Sequence, residues 1–135
     1  MLEIIEILGA CHEGKTNYIL ENYLNNDCIY FTNESTREEI IKKLDGKYDF
    51  NNLKYEDLPI INNVKCNDPL LKLCLLTTQK TDVINKRILI LDGFFDKNEL
   101  NDFIEEMYVL DRFDKIIYTT QVSRKLSAKR KELKI

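Results

Sequence analysis

The sequence predicts an α/β domain: a parallel sheet of about four strands with helices packed on both of its faces. Three observations lead there. Short, nearly uninterrupted runs of β-branched and aliphatic residues alternate with segments whose apolar residues recur at helical spacing. The run over 87–91 is nearly all aliphatic and ends in Asp92 and Gly93. Glycine turns and capping residues then open the helical segments directly after the strands, the pattern of right-handed β-α-β crossovers.

Taken in order, Leu2, Ile4, Ile5, Ile7 and Leu8 make residues 2–8 a buried first strand that ends at Gly9. After Gly14, Lys15 and Thr16, the residues Ile19, Leu20, Tyr23 and Leu24 mark a helix, which Asn25, Asn26 and Asp27 break. Cys28, Ile29, Tyr30 and Phe31 form a second strand. Ser35 then reads as an N-cap with Glu38 three residues on, a capping box opening a helix that carries Ile40, Ile41 and Leu44 and stops at Gly46. Residues 47–67 read as an irregular excursion around Pro59, with a short strand a candidate at Ile60 and Ile61. Asp68 and Pro69 supply an N-cap and first helical position for a buried helix over 70–80. Residues 87–91 are the third strand, closed by Asp92 and Gly93. Asp96 and Glu99 form another capping box, before a helix whose Leu100, Phe103, Ile104, Met107 and Leu110 share one face. Residues 115–119 are the fourth strand, and from Ser123 the chain reads as a helix or an arm.

Composition bounds the class. The 135 residues are 44% apolar and 32% charged with four Gly and two Pro, the make-up of one folded domain rather than a low-complexity polymer. No apolar run approaches the ~20 residues that span a bilayer, and no basic segment precedes an apolar core at Met1, so we expect a cytoplasmic protein with no membrane contact. Cys11, Cys28, Cys66 and Cys74 form no CxxC pair, and His12 is the single histidine, so they read as reduced thiols rather than zinc ligands. The net charge of −3 is unevenly placed: residues 1–123 carry 14 basic and 22 acidic side chains, whereas 124–135 carry six basic side chains against Glu132. We therefore divide the chain into a core, 1–123, and a basic tail, 124–135.

The chemistry concentrates where strands end. Gly9, Ala10, Cys11, His12, Glu13, Gly14, Lys15 and Thr16 spell GxxxxGK[ST] between a strand and a helix. The glycines let backbone N–H groups converge on phosphate oxygens at a helix N-terminus, Lys15 reaches the β- and γ-phosphates, and Thr16 offers its hydroxyl to Mg2+. Asp92 closes Ile88, Leu89, Ile90 and Leu91, where a carboxylate would orient the same metal. Glu34, after the second strand, would take a proton from an attacking water or serve as a first-turn helix acid. Gln121, after the fourth, would sense a γ-phosphate or be an ordinary loop amide.

In order, Gly9–Thr16, the stretch Tyr30, Phe31, Thr32, Asn33, Glu34, Ser35, Thr36, Arg37, Glu38 and Glu39, then Ile88–Asp92, then Thr119, Thr120, Gln121, Val122, Ser123 and Arg124 resemble the successive motifs of RecA-like P-loop ATPases of the DnaB replicative-helicase type. The resemblance spans most of residues 4–124, with 47–84 outside it. It implies a RecA-like fold, ATP and Mg2+ as cofactors, Glu34 as catalytic base and Gln121 as the link from γ-phosphate to DNA-binding loops. Members of that family continue into DNA-contacting loops and an arginine finger; here the basic tail either supplies such parts in reduced form, including contact with single-stranded DNA and Arg124 or a lysine acting in trans, or is a solvated helix.

The leading expectation is a minimal DnaB-like ATPase, slow as a monomer, acting in DNA replication or recombination, with homo-oligomers as one partner form. The alternative is a nucleotide-binding regulator that docks on a ring helicase. A third is a nucleoside kinase, since Leu91, Asp92, Gly93, Phe94 and Phe95 faintly resemble the thymidine kinase motif, although Gly93 stands where that family has a glutamate base.

Overall fold

A computed structural model describes residues 2–9, 14–33, 35–44, 46–50, 58–64, 86–94, 97–110, 113–121 and 131–134. In chain order these form β1 (Glu3–Gly9), α1 (Lys15–Asn22), β2 (Cys28–Thr32), α2 (Arg37–Lys43), β3 (Ile60–Asn63), β4 (Ile88–Asp92), α3 (Lys97–Leu110), β5 (Lys115–Gln121) and β6 (Lys131–Lys134). The strands make a six-stranded sheet in the order β3-β2-β4-β5-β1-β6. Every pairing in it is parallel.

The α/β class, the parallel sheet and the covering of both faces agree with the sequence reading; the strand count does not. The four apolar runs are the four central strands, and two edge strands join them. The first, Ile60–Asn63, is half polar, and the second, Lys131–Lys134, carries three charges in four positions. Edge strands are commonly polar, which blunts further pairing, so the apolar-run signal that marks central strands is absent from them. Residues 131–134 thus belong to the sheet rather than to a helix or a free arm. The helix read over 70–80 lies outside the described residues.

Because side chains alternate across a strand, the two faces collect different residues. Ile5 and Ile7 of β1, Tyr30 of β2, Ile90 of β4 and Ile117 of β5 pack with Ile19 and Leu20 of α1 and Ile40 of α2. The opposite parity, including Phe31, Leu89, Leu91 and Tyr118, packs with Phe103, Ile104 and Met107 of α3. Burial of each such Ile or Leu is worth about 1.5–3 kcal/mol relative to exposure. These two layers hold the sheet between its helices. Among the described residues no helix is long and apolar enough to cross a membrane.

The start of α2 lies one residue later than the capping pattern at Ser35 and Glu38 suggests. Thr36 is the N-cap, its Oγ1 accepting the Glu39 N–H at 3.2 Å and donating to Glu39 Oε1 at 3.2 Å. Ser35 is committed to the preceding turn: its N–H donates to Thr32 Oγ1 at 3.4 Å and its carbonyl accepts from Asn63 Nδ2. Both registers of the Ser-Thr-Arg-Glu-Glu run satisfy the cap rule, and the turn out of β2 selects the second.

Candidate functional site

In a parallel sheet all carboxyl ends of the strands reach one rim, where ligands of such sheets bind. Gly9 at the end of β1 is the register partner of Gln121 at the end of β5, and Thr32 at the end of β2 is the partner of Asp92 at the end of β4. The β6 pairing sets Lys134 beside Leu8, so the basic segment finishes at this rim too. The strand β5 lies between β1 and β4, so the glutamine position falls between the glycine loop and the aspartate.

From β1 the chain reaches α1 through Gly14, the helix N-cap, at φ +82° and ψ +21°. That left-handed conformation is costly for a residue with a Cβ. No side-chain hydrogen bond caps this helix. The Tyr18 N–H to Gly14 carbonyl bond, at 3.0 Å, is its first, so the N–H groups of the first turn point out of the helix at the rim. Lys15 is the first helical residue and is half-buried.

Thr16, one residue on, donates its hydroxyl to Asp92 Oδ2 at 2.7 Å, a contact between positions 76 apart in the chain. Asp92 is only 3% exposed. Its carboxylate also accepts the Tyr30 hydroxyl at Oδ2 and the Thr119 hydroxyl at Oδ1, the latter at 3.2 Å. Thr119 Oγ1 in turn accepts the Gly93 N–H at 2.8 Å. Burial, and then the neighbouring Asp92 charge, push the Tyr30 phenol well above its ordinary pKa, so it remains a donor at any physiological pH.

Of the residues the sequence singles out, the structure joins Thr16 and Asp92 directly and places Gly9, Gly14, Lys15 and Gln121 at the same rim. Ala10, Cys11, His12, Glu13 and Glu34 lie outside the described residues, as does the Gln121 side chain. The chain leaves β2 toward position 34 from Thr32, next to Asp92.

The donor set fits magnesium. That ion prefers oxygen ligands, keeps several waters, and is usually held by one or two protein groups together with substrate phosphates. A hydroxyl and a carboxylate fixed against each other at the foot of a helix N-terminus are such groups. A hydroxyl whose proton is given to Asp92 still has lone pairs to offer a cation.

Tyr30 and Thr119 open two of the motif stretches, but the sequence assigns neither a role at the site. A phenol within Cys28–Thr32 reads as core, and Tyr30 is indeed fully buried. The available signal was parity: in parallel strands in register, Tyr30, Asp92 and Thr119 fall on one face.

No model of a known protein family matches the chain, and no curated protein is detectably similar to it in sequence.

Proposed function

We propose that the chain is a P-loop nucleoside triphosphatase of the RecA-like, DnaB-resembling kind, binding ATP with Mg2+ at residues 9–16 and hydrolysing it slowly. The observation that carries this reading is the 2.7 Å bond from Thr16 to Asp92. Two motifs read separately from sequence as the metal-side groups of one phosphate site meet at a single rim, below a left-handed glycine and a helix N-terminus.

In this reading backbone N–H groups of the 9–16 loop and the Lys15 ammonium hold the phosphate chain, and Thr16 and Asp92 would hold the cation. Bound there, magnesium would neutralise charge on the β- and γ-phosphate oxygens. Glu34 would accept the proton of the attacking water, and Gln121 would report the γ-phosphate. Arginine fingers raise such rates by ~10³–10⁵-fold, so turnover by a lone subunit is slow and rises on assembly or with a partner that donates one. The basic tail, of which Lys134 is paired beside Leu8 near the same rim, supports contact with single-stranded DNA through phosphate neutralisation.

The turn after Asp92 favours hydrolysis over nucleoside phosphorylation. Gly93 sits at φ +93°, a conformation side chains rarely adopt, so a glutamate base directly after the aspartate would be strained.

The test is nucleotide binding and turnover by wild type, Lys15→Ala and Glu34→Gln, with and without single-stranded DNA. Wild type should bind ATP in the presence of Mg2+. Lys15→Ala should lose at least tenfold in affinity, and Glu34→Gln should bind but not turn over. A folded wild type with no affinity for any nucleoside triphosphate overturns the reading. Binding without turnover under every condition would instead favour a regulator that docks on a ring helicase.

A further inference from the structure

The Asp92 carboxylate receives more than a metal site requires. Thr16 reaches it from α1, but Tyr30 and Thr119 reach it from the two strands that flank β4, Tyr30 on β2 at Oδ2 and Thr119 on β5 at Oδ1. The Cβ–Cγ torsion of an aspartate is a broad, soft rotor. Donors from opposite sides, one on each oxygen, fix the plane of the carboxylate. Neither hydroxyl is exposed to a ligand. Tyr30 is fully buried beneath α1, and Thr119, 1% exposed, is itself anchored by the Gly93 N–H. The hydroxyl of Thr16, which is only half-buried, is left as the one with lone pairs to offer a ligand.

We propose that Tyr30 and Thr119 are positioning residues that fix the Asp92 carboxylate for a divalent cation shared with Thr16. This rests on the nucleotide-binding reading above and gives two motif residues a role that spacing does not reveal. Two hydroxyls are buried at the carboxyl ends of β2 and β5, and each donates its proton to the carboxylate. Removing either donor leaves the aspartate in place but lets it turn, which weakens cation capture without touching the phosphate-binding loop.

The experiment uses Tyr30→Phe, Thr119→Val and Thr119→Ser in the full chain. Affinity for a fluorescent ATP analogue is measured in EDTA and across a Mg2+ titration, Mn2+ binding is followed by electron paramagnetic resonance, and thermal stability is recorded for each. Outer-shell hydrogen-bond partners of metal ligands are worth roughly 10–100-fold in metal affinity. Tyr30→Phe and Thr119→Val should therefore raise the Mg2+ midpoint about tenfold and weaken Mn2+ binding alike, with the EDTA affinity within about twofold of wild type. Thr119→Ser, which keeps the hydroxyl, should restore the wild-type midpoint. Tyr30→Phe keeps the ring in its slot, and the serine and valine pair tests the same idea at a second position.

Midpoints that stay at the wild-type value, or that follow the EDTA affinity or the melting temperature instead of the hydroxyl, overturn the positioning role while leaving nucleotide binding intact. A wild type that binds nucleotide in neither condition overturns both.

Discussion

The two ends of β4 handle a buried charge in opposite ways. Lys86, just before the strand, and Asp92, its last residue, are both 3% exposed. At the amino end the Lys86 ammonium donates to the backbone carbonyls of Asn26 and Leu58, the latter at 2.8 Å. Around it Arg87 and Ile88 donate their N–H groups to the Asp27 carbonyl, each at 3.1 Å, and Arg87 forks onto Asp114. The partners there are mostly main chain, fixed in place, and directed back into the protein. At the carboxyl end the partners of Asp92 are three side-chain hydroxyls, which can rotate and can serve a ligand. One rim ties strands and loops together; the other presents a carboxylate. Of the two buried charges, only Asp92 has partners that can rotate away to admit a ligand.

The largest effect we expect is at the closed rim. Lys86→Met should destabilise the protein by about 3 kcal/mol, because two buried carbonyls lose a charged donor. Its urea midpoint and melting temperature should fall while ATP affinity, measured below the transition, stays within about twofold of wild type. A loss of binding in step with stability would break the comparison. At the other rim Asp92→Asn should do the reverse. It should raise the Mg2+ midpoint roughly 100-fold, and denaturant unfolding should show stability unchanged or higher, since a buried charge is replaced by a neutral isostere.

Smaller effects sharpen the boundary between architecture and site. Thr36→Ala should cost about 1 kcal/mol as a lost N-cap, against well under ~0.5 kcal/mol for Ser35→Ala, read by equilibrium unfolding. Equal losses would return the cap to Ser35. Last comes the free thiol of Cys28, fully buried on β2 near the closed rim. Desolvation raises its pKa from 9.0 to about 11. Since the folded value lies above the unfolded one, its stabilising contribution is complete below pH 9 and is lost as pH rises toward about 11. By pH 10 the loss is roughly 1 kcal/mol, and Cys28→Ala should flatten that part of the stability–pH curve. An unchanged slope between pH 8 and 10 would show that the thiol ionises as readily folded as unfolded.

Much of this was legible locally. Apolar runs marked β1, β2, β4 and β5, since strands buried on both faces need apolar residues at every position. Helical period gave the buried face of α3, where Phe103, Ile104 and Met107 pack on the sheet. Motif spacing pointed to Thr16 and Asp92, because the proposed phosphate site calls for a hydroxyl after the glycine turn and a carboxylate at a strand end. The strand read as a candidate at Ile60 and Ile61 is there and runs on to Asn63, whereas Lys131–Lys134 escaped, since a polar edge strand is defined by its neighbour rather than by its own composition.

The sequence by itself determined the alternating elements, the GxxxxGK[ST] pattern and the two residues read as metal-side groups. Only the tertiary structure decided that those two touch, that α2 is capped by Thr36 and that Tyr30 and Thr119 close on Asp92. The reason is physical: motifs and periods are properties of a few neighbouring residues, whereas a hydrogen bond between positions 62 or 76 apart depends on strand order and register, set by the packing of the whole sheet.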